Sequence, residues 1–427
     1  MLNHFIKFIS SLRLTVVCLC LAIILIFSGT IAQVYLGLYD VQSQFFRSFF
    51  VYWTPHGSSL RIPLLPGGWL LGSVLLVNLL AAHITRFKWS NKKIGIFLTH
   101  AGIVVLLVGQ LFTESFQRES TMFIPVGGSK NYSEDSRKNE LAIVDVTDPK
   151  QDTVVSIPES FLAKGGEIKT PNLPFSIAVE NYFLNSNPAG PMSGGGDKMK
   201  AADGIGQKLQ FTPAKHTTRM DDEDKPAALL RLVSAQGPIG EWTVSTWMNK
   251  FPFADNLQSE LGDLLGTSLS KPQEFSYAGR TYQIALRAVR YYKPYTITLR
   301  EFTHDVYAGT DIPKNFASRI HLTDAAAGED RDILIYMNNP LRYRGETFYQ
   351  ASFKPDDRAT VLQVVQNPFS PTPYLACVMV GAGLLIQFLT HLFGFARKRA
   401  AQTRPLVVQA LRKEAARRRP PQPKEAV

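Results

Sequence analysis

Four apolar stretches, Leu14 to Ala32, Trp69 to Thr85, Ile94 to Phe112 and Pro373 to Phe395, limit what this chain can fold into. Each has the roughly 17 to 25 residues that a bilayer-spanning helix needs. A lipid-exposed backbone must satisfy its own hydrogen bonds, so such segments are expected as α-helices. A soluble cytoplasmic enzyme is thereby excluded. The first run is longer than the about 7 to 15 apolar residues of a secretory signal, and it reads as an uncleaved anchor even though Thr30-Ile31-Ala32 weakly resembles a cleavage site.

The net charge of +11 suggests nucleic acid until its distribution is followed. The segment from Arg397 to Val427 holds ten basic side chains against Glu414 and Glu425. Lys7 and Arg13 precede the first span, and Arg86, Lys88, Lys92 and Lys93 join the second to the third, so the rest of the chain is slightly acidic. Basic residues mark the cytoplasmic side of a membrane protein, which puts both termini inside. The basic tail is expected to be a solvated topogenic segment with access to membrane lipid, and no nucleic-acid role is assigned to it.

The expected organisation follows: a cytoplasmic leader 1–13, spans at 14–32, 69–85, 94–112 and 373–395, an outer loop 33–68, a cytoplasmic link 86–93, an extracytoplasmic domain 113–372 and a basic cytoplasmic tail 396–427. The outer domain is rich in Val, Ile, Thr, Tyr and Phe in short runs such as LAIVDVT from Leu141, FSIAVENYF from Phe175, EWTVSTW from Glu241 and RDILIYM from Arg331. Turn residues separate these runs, which argues an all-β, antiparallel sandwich or open barrel. A helix is expected at Asp255 to Leu265, and the Gly- and Pro-rich stretch 187–206 reads as a flexible insertion. Its glycines lack the spacing and the βαβ context of a phosphate loop.

Chemistry is sparse. The cysteines, Cys18, Cys20 and Cys377, all fall inside spans, and the chain has no Cys-x-x-Cys pair or Cys-x-x-Cys-His haem-attachment motif. No nucleophile sits beside a base in a convincing context, and Asp221 to Asp224 reads as a solvated loop. Histidine is the exception. His83 lies three residues before Arg86, His100 seven after Lys93, and His391 six before Arg397. At about 1.5 Å per residue all three sit roughly 5 to 10 Å inside the cytoplasmic boundary. An intramembrane histidine is a functional candidate because burying its polar ring in lipid is costly; bonding to a neighbouring helix, as Asn78 and Gln387 can also do, is the structural alternative. His304 and His321 are expected as ordinary domain histidines, and His4, His56 and His216 carry no assignment.

Several blocks resemble the ResB family, also called CcsB, of System II cytochrome c biogenesis. They are FLTHAGIVVLLVG from Phe97, TMFIPVGGS from Thr121, FTHDVYAGTDIPKNFASRIHL from Phe302, IYMNNPLRYRGETFYQASF from Ile335, and ATVLQVVQNPFSPTPY from Ala359. The resemblance implies a role in moving haem b across a bacterial plasma membrane and presenting it for attachment to apocytochrome c. It implies a ResC/CcsA-like membrane partner and thiol-reducing proteins of the same pathway, and a non-catalytic or partner-dependent subunit of a holocytochrome c synthase complex. It points to His100, on the span before the outer domain, as an axial ligand of the haem iron. His83 is a second candidate and His391 a weaker one, both on depth alone. Two other readings remain open at this point: a tethered scaffold that docks apocytochrome or thiol-reducing partners without touching haem, and a membrane oxidoreductase, which the missing cofactor motifs disfavour.

Overall fold

The computed structural model describes residues 2–55, 60–87, 89–189, 198–217, 223–250, 272–309, 313–353 and 359–417. His56, the helix expected at Asp255 to Leu265, and Asp221 and Asp222 lie outside them. The chain divides into a helical unit, residues 1–30, 43–117 and 367–427, and a β unit, residues 31–42 and 118–366.

The helical unit is built from α1 (Leu2–Ile9), α2 (Leu12–Val41), the hairpin β1 (Phe50–Trp53) and β2 (Ile62–Pro66), α3 (Gly68–Arg86), α4 (Ile94–Phe116) and α5 (Thr372–Arg417). Helix α2 is interrupted at Gly37, whose φ of 76° is left-handed, and its last residues are counted in the β unit. Among the described residues, four helices are long and apolar enough to cross a membrane, over Leu12–Phe46, Gly68–Arg86, Asn91–Phe116 and Thr372–Gln402. They leave Val16, Ile23, Phe27, Ile84 and Phe388 exposed, as helices that face lipid do. Helix α5 continues to Arg417, so the residues that open the basic tail extend the last span as helix.

Small residues decide how α4 meets α5. Gly95, Gly102 and Gly109 recur every seven residues and are buried on one face. A Cβ at Gly95 would lie 2.6 Å from the Gly383 carbonyl oxygen, and one at Gly102 would lie 3.0 Å from that of Ala376. Lipid supplies no hydrophobic drive to pair helices, so this close approach, with its dispersion contacts, does so instead. Asn78, only 4% exposed, joins α3 to the first two helices. It accepts a 2.6 Å hydrogen bond from Thr15 and donates to the carbonyls of Ile9 and Ser11. Burial in an apolar setting would be costly without these bonds.

The β unit is antiparallel throughout. Its largest sheet contains β3 (Arg118–Pro125), β4 (Ser129–Asp145), β5 (Thr153–Pro158), β12 (Gln273–Tyr277), β13 (Arg280–Val306), β14 (Pro313–Asp324), β15 (Glu329–Tyr336), β16 (Leu341–Tyr343), β17 (Glu346–Phe353) and β18 (Ala359–Gln366). The path runs β15-β14-β13-β4-β3-β18-β17-β16, with β12 beside β13 and β5 beside β4. A smaller sheet orders β11 (Gly237–Ser245), β10 (Ala227–Ser234), β7 (Ser176–Phe183) and β6 (Gly166–Ile168).

Two long strands carry both expected architectures. The first half of β13, with β4, β5 and β12, packs on the smaller sheet as a sandwich around Leu141, Ile143, Ile177, Leu230, Trp242 and Ile284. Its second half curls with β3, β14, β15, β17 and β18 into a nearly closed barrel around Met122, Ile124, Leu299, Ile320, Phe348 and Leu362. Ser318 of β14 reaches Gln350 of β17 at 2.6 Å and Thr360 of β18 at 2.8 Å. These bonds tie strands that are distant along the sheet path.

Of the stretch expected as a flexible insertion, residues 190–197 lie outside the described residues. Residues 187–189 belong to β8 (Ser186–Ala189), which pairs with β9 (Gln210–Pro213). Met199 and Ala201 are each 1% exposed, and Met199 packs with Phe211.

Candidate functional site

The link between α3 and α4 is short, and it turns the chain back on itself. Helix α3 ends at Arg86, Phe87 is extended, and a single 3-10 turn, Asn91–Lys93, leads into α4. The two helices therefore run antiparallel and bring His83 against His100. Their ring centroids are 4.7 Å apart at an interplanar angle of 78°, an edge-to-face contact. Aromatic side chains at and beside the turn gather on the His83 side of the pair. Phe87 stacks on His83 at 5.2 Å and 21°, Phe97 lies 6.4 Å from it, and Trp89 meets Phe97 at 5.2 Å.

The hydrogen bonds distinguish the two imidazoles. His83 Nδ1 lies 3.0 Å from the Leu79 carbonyl oxygen. A carbonyl only accepts, so the proton is assigned to Nδ1 and the lone pair to Nε2. That nitrogen is buried without a partner, and so is His100 Nδ1. Holding one ring nitrogen by its N–H while the other is left with a lone pair is the arrangement that prepares a histidine to bind a metal. No group of three or more His, Cys, Asp or Glu side chains capable of caging a bare ion occurs among the described residues. A macrocycle that brings its own four nitrogens needs only axial ligands, so two imidazoles in an apolar setting suit haem better than a free cation.

Both rings cannot bind one iron while they touch. Ligand nitrogens on opposite faces of a porphyrin stand about 4 Å apart, twice a metal–imidazole bond of roughly 2.0 Å. The edge-to-face contact leaves no slot for the macrocycle between them. His391 is differently engaged: its Nε2 lies 2.7 Å from Gln387 Nε2 one turn earlier on α5. The amide donates, so this imidazole nitrogen is occupied. Arg86 donates to the Lys7 carbonyl at 3.3 Å, and Arg86, Lys92 and Lys93 are exposed at the same end of the helices.

Sequence reasoning singled out the histidines but missed their aromatic surround. The signal was present in FKWSNKKIGIF, where Phe87, Trp89 and Phe97 flank the turn. In the β unit, His321 bridges Asp330 and Asp332 at 2.7 Å each, and His304 stacks on Phe316 at 5.0 Å. His216 is bonded to Asp224. Cys18 is buried among Leu25, Val51 and Leu71, whereas Cys20 and Cys377 are exposed on their helices.

Residues 273–359 match the sequence profile of the ResB-like family. They cover β12 through β17 and reach the first residue of β18, which includes two of the blocks quoted above. A stretch of 96 residues, 22% of this chain, is 31% identical to Protein NrfI of Wolinella succinogenes. The match covers 11% of that relative's length.

Proposed function

From a ResB-like β unit carried on four apolar helices, we propose that this protein is a subunit of a System II cytochrome c biogenesis complex that holds haem inside the membrane and helps present it to apocytochrome c. The observation that carries the reading is the His83–His100 pair, two touching imidazoles with buried, unfilled nitrogens on neighbouring apolar helices. Haem is the cargo. Its iron takes one imidazole of the pair as axial ligand, and a ResC/CcsA-like partner supplies the other, while the second imidazole and Phe87 keep the site dry. Basic side chains at the link, Arg86, Lys92 and Lys93, are placed to meet the propionates near the boundary.

The orientation belongs to the same proposal. Basic residues at both termini and in the 86–93 link support a cytoplasmic placement, with the β unit outside, where apocytochrome c and thiol-reducing proteins act. The chain contributes binding and positioning and depends on its partner for the attachment step.

The test is co-expression with a ResC-like partner, comparing haem content and reduced absorption spectra for His83→Ala, His100→Ala and the double variant. Loss of haem in the double variant, with recovery in His100→Gly or His83→Gly on adding imidazole, supports ligation, since free imidazole refills an iron site but restores no tethered packing contact. Unchanged haem content and spectrum in a normally accumulating double variant would leave the scaffold reading in its place.

A further inference from the structure

The β unit contains a second concentration of cations, none of which enters the reading above. A cavity of about 370 Å³ opens at one mouth of the barrel, lined by Arg118, Tyr291, Lys293, Tyr295, Arg344 and Glu346 among others. Register explains how it forms. Arg118 pairs with Gln366 where β3 and β18 begin and end, and β13 sends Tyr291, Lys293 and Tyr295 to one face by the two-residue alternation of a strand. The turn between β16 and β17 is Arg344-Gly345, both with positive φ, 46° and 78°. Positive φ at both central residues is the geometry of a tight two-residue hairpin turn.

The charges in this cavity are unequally answered. Lys293, its side chain 2% exposed, donates to Glu346 at 2.6 Å, and Tyr295 donates to the same carboxylate. Arg344 donates to the fully buried Asp324 at 2.6 Å. Arg118 is in no ion pair among the described residues. Its guanidinium lies 5.1 Å above the Tyr291 ring, and Tyr291 is anchored by donating to Asp135 at 2.7 Å. Burial holds the Lys293 ammonium below its ordinary pKa despite Glu346, and the positive charge of Arg118 lowers it further. Arg118 is therefore the cation of this cavity left without a carboxylate, and a stacked guanidinium presents a planar fork suited to one.

We propose that this cavity binds the propionate edge of haem, a carboxylate carried on an aromatic plate, with Arg118 as the receiving cation and the tyrosines as the wall beside the ring. This inference rests on the haem reading and gives the β unit its own contact with the cargo. The cavity accepts a propionate arm and the adjoining ring edge, because sites that enclose a whole drug-sized ligand run from about 300 to 1,000 Å³ and a macrocycle lies at the upper end. Its lining also includes Arg118 and Gln366, the barrel residues adjacent in sequence to the segments that continue into α4 and α5.

The test uses the full chain in phosphatidylcholine nanodiscs, carrying His83→Ala and His100→Ala so that neither imidazole contributes. Zinc protoporphyrin IX and its dimethyl ester are titrated by fluorescence. The free acid is expected to bind about tenfold more tightly than the ester, the scale of one charge-assisted bond. Arg118→Gln, at an exposed site where folding is not at stake, should abolish that preference, and Arg118→Lys should restore part of it. Equal binding of acid and ester, or a preference that survives Arg118→Gln, overturns the proposal. The membrane reading fails by a separate route, through the haem content of the histidine variants, because the ester comparison contains neither histidine.

Discussion

His83 and His100 touch edge to face at 4.7 Å, and only one of them has its ring orientation set by a backbone carbonyl, that of Leu79 at 3.0 Å. The pair is therefore asymmetric. His83 is a fixed imidazole with its Nε2 lone pair unfilled, while the Nδ1 of His100 carries no such bond. Family resemblance points to His100, and local hydrogen bonding prepares His83. Their contact makes the proposed haem site a shared one.

The aromatic surround should matter to that site. Phe97→Ala removes a ring that packs near His83 and against Trp89. Aromatic contacts of this kind are worth about 0.5 to 1.5 kcal/mol each, so haem content in the co-expressed complex should fall about two- to tenfold while accumulation is kept. Pyridine haemochrome absorbance per mole of protein measures this directly; full haem content would mean the ring is packing only.

Helix α4 should not tolerate a side chain at Gly95. A Cβ there meets the backbone of Gly383 and Gln387 at 2.6 and 2.7 Å, and backbone cannot rotate away. Gly95→Leu should cost about 1 to 3 kcal/mol or separate α4 from α5, lowering accumulation and thermal resistance in detergent. Gly381→Leu, where an added Cβ meets nothing within 4 Å, is the matched control. Equal behaviour of the two variants would remove the case for close helix packing.

The β14–β15 hairpin should loosen as pH rises. Hydrogen bonding to Asp332, and then to Asp330, raises the pKa of His321 above its usual value. A raised folded-state pKa means the protonated ring is favoured by the fold. Its contribution is complete below the unfolded value of about 6.5 and is lost as pH climbs through the folded value. Hydrogen exchange of residues 317–324 should quicken at pH 8.5 relative to pH 6 beyond the intrinsic chemical rate, and His321→Gln should abolish that excess. An identical excess in the variant would place the pH response elsewhere.

Topology admits a direct check. An alkaline phosphatase fusion at Lys130 should be active, and a fusion following Val427 should be inactive, because the enzyme matures only outside the cytoplasm. Activity at Val427 would reverse the proposed orientation. The basic residues of the 86–93 link are the sequence feature that such a result would contradict.

Much of this was legible in advance because it depends on local pattern. LAIVDVT, FSIAVENYF, EWTVSTW and RDILIYM each overlap a strand, over Leu141–Asp145, Ser176–Phe183, Glu241–Ser245 and Arg331–Tyr336, since alternation and β-branching act over a few residues. β10, AALLRLVS, shows no clean alternation: it lies between β11 and β7 with Ala227, Ala228, Leu230 and Leu232 buried, and Arg231 interrupts its apolar run, so a period-two pattern does not mark it. The order of strands was also out of reach. Pairing β3 with β18 joins residues from the two ends of the β unit, and a chain sequence carries no local mark of such a partner.

The sequence by itself determined the apolar helices, the all-β character of the region between the third and the fourth, and the presence of histidines at matching depth, because hydropathy, side-chain alternation and helical rise are properties of neighbouring residues. Tertiary structure alone decided that His83 and His100 meet while His391 bonds Gln387, and that Arg118, Lys293 and Arg344 share one cavity. Those outcomes depend on the turn after Arg86, on the glycine face of α4 and on the curl of a ten-stranded sheet. Each is a packing solution among segments far apart in the chain, where many registers satisfy the same local pattern and only the simultaneous fit of backbone and side chains selects one.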